Sequence, residues 1–416
     1  MRILVVGGGG REHTIIWKLS KSRHAPKLHC APGNAGIAAL AKCHEVSASD
    51  IDGMVALAKE ICADFVVVAP DDPLVLGLVD KLEAAGIPAF GPTAAASVIE
   101  GSKVFAKDLM KKYGIRSAAY EVFDEFDKAL AYVDSYPAVI KAEGLALGKG
   151  VIIAADETEA KDALHSIMKD RKFGDAGRRV VIEQFLQGPE VSVLAFTDGV
   201  TLVPMVSAQD HKRAFDGDMG SNTGGMGTFS PSAVYTKELA ERCMDEIFMP
   251  TIKAMAAEGR IFKGVLYFGL MIVDGVPYVI EYNARFGDPE TQVVLPRLNG
   301  DLVDIMMATR DGTLANVPIA WDNDAAVCIV MASGGYPANY EKGLVIEGTA
   351  AAEDIGALIF HAGTAAKDGH LVTSGGRVLG VTALGDNVQT ARDKAYSYVD
   401  KIHFDKAHYR KDIGVK

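Results

Sequence analysis

Apolar positions in the first hundred residues fall into short runs at 3–6, 27–30, 65–69 and 87–90. Between them lie stretches at helical spacing, such as 11–20 and 51–62. Short runs bounded by turn formers read as buried strands, and the 3.6-residue period reads as helix, so this part alternates β and α. Each strand ends in glycine, proline, asparagine or aspartate: Gly7-Gly8-Gly9-Gly10, Pro32-Gly33-Asn34-Ala35-Gly36, Pro70-Asp71-Asp72-Pro73 and Gly91-Pro92-Thr93. The pattern predicts an open parallel sheet whose ligands sit at those turns.

Further along, 102–113 reads as a helix with Lys103 and Lys107 one turn apart. A strand at 136–141 runs into Glu143-Gly144-Leu145-Ala146-Leu147-Gly148-Lys149-Gly150. A strand at 151–154, a helix over 157–169 and strands at 180–183 and 190–197 complete a small α/β lobe, with Gln184-Phe185-Leu186-Gln187-Gly188-Pro189 between the last two. Residues 216–227 are almost all small or polar, cannot fill a core, and read as a mobile functional loop. Strands at 265–273 and 276–280 are joined by Asp274-Gly275, a favoured two-residue turn. From about residue 325 the chain turns to short β-rich segments and ends in a helix over 387–402.

Composition narrows the function. The 416 residues are 49% hydrophobic, 23% charged and 7% aromatic, with a net charge of −11. That length suggests about three domains, and the acidic balance argues against nucleic-acid or anionic-membrane partners. Phosphate chemistry would then rest on local cations, backbone amides or a metal. Five cysteines (Cys30, Cys43, Cys62, Cys243 and Cys328) are odd in number and lack zinc-ligand spacing, which favours reduced thiols. The N-terminus enters a strand directly and no apolar run approaches membrane-spanning length, so a cytoplasmic protein is expected.

The densest chemistry follows the 276–280 strand, in Glu281-Tyr282-Asn283-Ala284-Arg285-Phe286-Gly287-Asp288-Pro289-Glu290-Thr291-Gln292. Strand alternation points Glu281, Asn283 and, if the extended run continues, Arg285 to one side. Carboxylate and amide oxygens suit a hard cation such as Mg²⁺, and the guanidinium suits a carboxylate or phosphate beside it. A polar sheet edge with ion pairs is the plainer alternative, but it leaves the charged turn unexplained.

Other motifs are weaker. The Gly7–Gly10 turn fails the dinucleotide fingerprint, because Glu12 or His13 occupies the third glycine position and no acid ends the second strand. It still offers bare amides at a helix start, as does Pro32-Gly33-Asn34-Ala35-Gly36. Two such turns at neighbouring strand ends favour one shared phosphate. Asp71 and Asp72 suit sugar hydroxyls or simple helix capping. Gly144–Gly150 imitates a P-loop, but with three residues between the glycines and Gly after the Lys, it reads better as a flap over a triphosphate. Lys141, in an apolar run, is expected to face an anion. Gln209-Asp210-His211-Lys212-Arg213, just before the glycine loop, is a candidate clamp for a small acidic substrate. No nucleophile elbow or catalytic cysteine signature is present.

These residues carry a resemblance. Gly-Gly-Arg11-Glu12-His13, Gly33-Asn-Ala-Gly36, Phe90-Gly-Pro-Thr93, Glu100-Gly-Ser-Lys103, Gly148-Lys-Gly150, Gln209-Asp-His-Lys-Arg213, Asn222-Thr-Gly-Gly-Met-Gly227 and Arg285-Phe-Gly-Asp-Pro-Glu-Thr-Gln292 resemble the phosphoribosylamine–glycine ligase family of purine biosynthesis, ATP-grasp enzymes, nearly end to end.

The resemblance implies a multidomain α/β and α+β fold. An open-sheet domain at 1–101 would bind phosphoribosylamine, a two-lobed ATP-grasp core at 102–324 (small lobe about 115–187) would grip ATP, and a β-rich domain would fill 325–416. Glu281 and Asn283 would hold Mg²⁺ or Mn²⁺. Lys107, Lys141, Gly148, Lys149 and Gly150 would meet the ATP phosphates, Glu183, Gln184, Phe185 and Leu186 the adenine, and Glu190 the ribose. Arg285, Asp210, Lys212 and Arg213 would serve glycine and its acyl phosphate. Gly9, Gly10, Gly33, Asn34, Gly36, Asp71, Asp288, Pro289 and Glu290 would contact substrates.

The chain departs from the family pattern at Ala69 and Asp71 (usually Gly and Glu), at Asp72 (usually small), and at Glu143 and Leu147 (usually Asp and Ala). The expected reaction ligates glycine to 5-phosphoribosylamine through glycyl phosphate. The expected state is a monomer, with a dimer as the alternative. Competing readings are a grasp ligase for another carboxylate–amine pair, a non-catalytic nucleotide sensor and, more distantly, a dehydrogenase.

Overall fold

A computed structural model describes residues 1–146 and 150–415. The first unit is a five-stranded parallel sheet in the order Lys42–Cys43, Lys27–Pro32, Arg2–Gly7, Phe65–Val68, Ala89–Phe90. Alternation along the central strand builds two cores. Ile3 and Val5 face Ile15, Leu19 and, from far along the chain, Leu302 and Met306. Leu4 and Val6 face Met54, Leu57 and Leu78. Covering both faces is what a parallel sheet requires. Strand order reverses beside Arg2–Gly7, which opens a crevice at the glycine turns.

The second unit has two antiparallel sheets. The small lobe orders Tyr120–Phe123, Val180–Gln184, Ala138–Ala142, Val151–Ala154 over its own core of Ile140, Leu164, Ile167 and Ile182. The larger sheet orders Leu202–Pro204, Glu190–Thr197, Gly264–Val273, Val276–Asn283. Asp274 (φ 50°) and Gly275 (φ 76°) both adopt left-handed backbone, which matches the twist of a two-residue hairpin. The last strand runs three residues past the expected end, so Glu281 and Asn283 lie on it. The register shifts at Gly269/Leu270, and Ile280 has no opposite partner.

The third unit is a five-stranded sheet in the order Gln209–Asp210, Gly227–Ser230, Ala325–Ala332, Arg377–Gly385, Leu358–His361, backed by helix Val388–Val399. Its first two strands come from the middle of the sequence, and two others run eight and nine residues, longer than the short segments expected.

The loop expected at 216–227 is only partly irregular. Arg213–Phe215 pairs with Met219–Asn222 in a ribbon, and Gly227–Ser230 joins the sheet. Backbone pairing needs no core-filling side chains, so polarity alone misleads there. The helix expected after Gly36 is a single 3₁₀ turn, Ile37–Ala39. The helix expected over 157–169 is α only for Glu157–Leu164 and continues as a π turn.

Candidate active site

Beyond Val279 the hairpin strand buries Tyr282 and Ala284 in the core and leaves Glu281, Asn283 and Arg285 on the opposite face. Arg285 Nη2 donates to Asn283 Oδ1 at 3.1 Å and pairs with Glu100 Oε1 at 2.9 Å; the other Glu100 oxygen accepts the Ala284 N–H at 2.7 Å. Lys212 Nζ lies 3.3 Å from Glu281 Oε1 and 3.5 Å from Glu190 Oε2. Lys212, aided by Lys141 and Lys103, holds the Glu281 carboxyl down at about 2 against the effect of burial. An ionised carboxylate and an amide oxygen on one strand face form a hard-oxygen donor set that fits a divalent cation.

Behind this face Glu183 lies between two lysines. Lys107 Nζ is 2.8 Å from Glu183 Oε2 and Lys141 Nζ is 2.9 Å from Oε1, and all three side chains are buried. Lys141 also donates to the Ile280 carbonyl at 3.0 Å, at the register shift. Burial opposes the Glu183 charge, yet Lys141 and Lys107 hold its carboxyl below the usual range. Burial drops Lys107 to about 8, with Glu183 opposing. The anion that Lys141 meets is thus Glu183 itself. Gln184 and Glu190 are exposed and Phe185 and Leu186 half-buried, so the segment linking the two lobes stands open. Gly150 accepts the Ala142 N–H at 2.8 Å, while Gly148 and Lys149 lie outside the described residues.

The Asp288-Pro289-Glu290 turn meets the third unit. Arg377 Nη2 is 3.1 Å from Asp288 Oδ2, and its Nη1 donates to the carbonyls of Gly224 (2.6 Å) and Asp288 (2.9 Å). Tyr267 donates to Glu290 Oε1 at 3.1 Å, and its hydroxyl is 2.7 Å from Ser192 Oγ. Burial, and then neighbouring Glu290, push Asp210 well above the ordinary carboxylate range. A Cβ on Gly225 would lie 2.4 Å from Pro289 and 2.8 Å from Asp210, so the glycine loop presses against both. Arg213 stands apart, donating to the Gly220 carbonyl at 2.7 Å.

At the first sheet, Gly33 N–H donates to the Gly7 carbonyl at 3.0 Å, which brings the two glycine turns together. Asn34 Nδ2 donates to Gly8 O (2.9 Å) and His361 O (2.8 Å), while its Oδ1 accepts the Ile37 N–H. The Gly9 amide is already answered by Glu12 Oε2 at 2.6 Å, and Gly10 opens the helix. A Cβ on Gly36 would meet the His361 ring at 2.3 Å. Burial opposes the Asp71 charge, but Arg285 and Arg11 hold it below the usual range; burial and Asp71 raise Asp72. Sequence reasoning passed over Arg377, His361 and Tyr267, which stand alone in their segments. Glu100 carried a signal in its Glu-Gly-Ser-Lys motif.

Three family models match in succession: "Phosphoribosylglycinamide synthetase, N domain" over residues 1–100, its "ATP-grasp (A) domain" over 101–291 and its "C domain" over 326–416. Relatives named phosphoribosylamine–glycine ligase include those of Vibrio parahaemolyticus (49% identical, covering 100% of this chain and 98% of the relative) and Caldanaerobacter subterraneus subsp. tengcongensis (46%, 100% and 99%). The crystal structure of phosphoribosylamine–glycine ligase from Thermotoga maritima superposes with a TM-score of 0.84 at 35% identity, covering 99% of this chain and all of that one. A Campylobacter jejuni biotin carboxylase in complex with β,γ-ATP shares the fold, with a TM-score of 0.74 at 14% identity and coverage of 100% and 94%. The chain belongs to the phosphoribosylglycinamide synthetase family.

Proposed function

We propose that this chain joins glycine to 5-phosphoribosylamine with ATP, giving glycinamide ribonucleotide, ADP and phosphate. The observation that carries the reading is Lys212, a cation from the third sheet's edge seated between Glu190 and Glu281 of the grasp sheet. The end-to-end likeness to proteins named for this ligation supports it. A glycine carboxylate oxygen attacks the γ-phosphorus and the bond to ADP breaks, leaving glycyl phosphate. The amine of 5-phosphoribosylamine then attacks the carbonyl carbon, loses a proton and expels phosphate. Positioning and charge neutralisation carry such chemistry without a covalent nucleophile on the protein.

Glu281 and Asn283 would hold Mg²⁺ or Mn²⁺, which supplies positive charge against the ATP phosphates. Lys107 and Lys141, paired with Glu183 behind that face, would lend positive charge to the same phosphates, and residues 183–186 and Glu190 would take the nucleoside. Arg285 and Lys212 steer the glycine carboxylate. The ammonium of glycine fits between Asp210 and Glu290, whose mutual repulsion a cation relieves. The turns at Gly9–Gly10 and Gly33–Gly36, with Asp71, hold the phosphoribosyl group. The test is ADP release with ATP, Mg²⁺ and glycine, with and without 5-phosphoribosylamine. Release that needs both is expected. Release indifferent to the phosphosugar overturns the acceptor, and none at all favours a nucleotide sensor.

A further inference from the structure

The ribbon of Arg213–Phe215 and Met219–Asn222 buries Ala214 but little else, since residues 215–221 are all exposed. Its base nonetheless belongs to the site. Thr223 donates both its N–H and its hydroxyl to the Lys212 carbonyl at 2.8 Å, and Gly224 O accepts from Arg377. What orders the ribbon comes from nearly two hundred residues later. Arg410, with 0% exposure, grips Asp412 with Nε (2.7 Å) and Nη2 (2.6 Å) and reaches the ribbon with Nη1, to Asp218 Oδ1 (2.9 Å) and the Arg213 carbonyl (3.1 Å).

Backbone contacts follow the same path. Lys411 N–H donates to Asp216 Oδ1 and Gly217 N–H to Asp412 Oδ2, both at 2.8 Å, and His408 Nε2 lies 2.7 Å from the Ala214 carbonyl. The tail is itself fixed. His408 exchanges two backbone hydrogen bonds with Ala332 of the third sheet, and Tyr396 of the backing helix donates to the Arg410 carbonyl.

We propose that Arg410 is a positioning residue that braces the ribbon from the C-terminal sheet, so that Lys212 and the Thr223–Gly225 wall stay over the activated glycine and water is kept from it. A fully buried, always charged guanidinium with two carboxylates and a carbonyl around it is a fixed point rather than a surface ion pair. Polar, glycine-rich backbone left without that tie would regain its conformational freedom. Glycyl phosphate would then be hydrolysed to glycine and phosphate in competition with attack by the amine on its carbonyl carbon. The inference rests on the reading that glycine is activated beside Lys212.

The experiment compares Arg410→Gln, Arg410→Lys and Asp218→Asn with the unmodified chain in two readouts. One is ADP formed per glycinamide ribonucleotide, and the other is amide exchange over residues 213–222. Arg410→Gln and Asp218→Asn should exchange several-fold faster in the ribbon and release several-fold more ADP than product, with KM for ATP unmoved and Arg410→Lys between. If Arg410→Gln does not fold, Asp218→Asn decides, since Asp218 lies on the exposed ribbon. Unchanged exchange overturns the brace. Faster exchange with ADP and product still equal overturns its role in guarding the intermediate. A Lys212→Met variant with unaltered glycine KM and kcat would instead fault the placement of glycine.

Discussion

Arg377 Nη2 and Asp288 Oδ2 meet at 3.1 Å across the seam between the C-terminal sheet and the turn that follows the candidate metal strand. The same guanidinium holds the Gly224 carbonyl, so one side chain joins the turn, the glycine loop and the third sheet. Burial opposes the Asp288 charge, but Arg377, then Arg11, keep its carboxyl below the usual range.

Removing Arg377 leaves the half-buried Asp288 carboxylate with Gln292 as its side-chain hydrogen-bond donor and takes a donor from two carbonyls. Arg377→Ala should cost about 2 kcal/mol of stability, the scale of hydrogen bonds to a charged group. It should also lower kcat/KM for glycine by roughly tenfold or more, since a half-buried charge-assisted contact to the turn is lost. Thermal unfolding and glycine saturation kinetics check both; a near-normal kcat/KM would show that the seam plays no part in the site.

Glu183→Gln removes the counter-charge of two buried lysines. Lys107 already sits at about 8 because of burial, with Glu183 opposing that fall. Without the carboxylate it should drop further and be largely neutral near pH 7.5, raising KM for ATP about tenfold. The proton returns at lower pH, so the deficit should shrink as pH falls. A pH-independent deficit would contradict this account of Lys107.

Glu281→Ala should abolish turnover, by roughly a hundredfold or more, while leaving the fold intact. Circular dichroism and ADP release at ordinary Mg²⁺ decide it, and near-normal activity would sink the metal assignment.

His13 and His361 form a buried contact, with the His361 N–H donating to His13 Nδ1 at 2.8 Å. Burial, with His361 adding, lowers His13 from 6.5 to about 3, and burial lowers His361 from 6.5 to about 4. Below about 6.5 the unfolded chain binds protons that these imidazoles refuse. Their stabilisation is thus complete above 6.5 and is lost as pH falls toward 4, by up to ~1.4 kcal/mol per pH unit for each. The melting temperature should fall between pH 7 and pH 5, and fall less in His13→Asn. Equal slopes would remove His13 from the cause.

Much of this was legible in the sequence because local signals and tertiary role coincide. Runs of valine and isoleucine ending in glycine turns marked the first sheet, Asp274-Gly275 marked the hairpin, and strand alternation set Glu281 and Asn283 on one face. The rest depends on partners distant in the chain. Nothing near Glu183 announces that Lys107 and Lys141 converge on it, because that contact crosses from a helix to two strands of another lobe. Arg377 is the lone cation of its segment and Arg410 stands beside Lys411 in a mixed-charge tail, and only folding brings them to Asp288 and Asp218. The glycine-rich ribbon looked like a free loop because what orders it is the C-terminal tail.

The central claim is that glycine is activated as an acyl phosphate between Lys212 and the metal strand. Glycine labelled with heavy oxygen in its carboxylate tests it most directly. One labelled oxygen per turnover should appear in the released phosphate, because the bridging oxygen leaves with phosphorus when the amine attacks. Phosphate free of label, with product still formed, would contradict the two-step account.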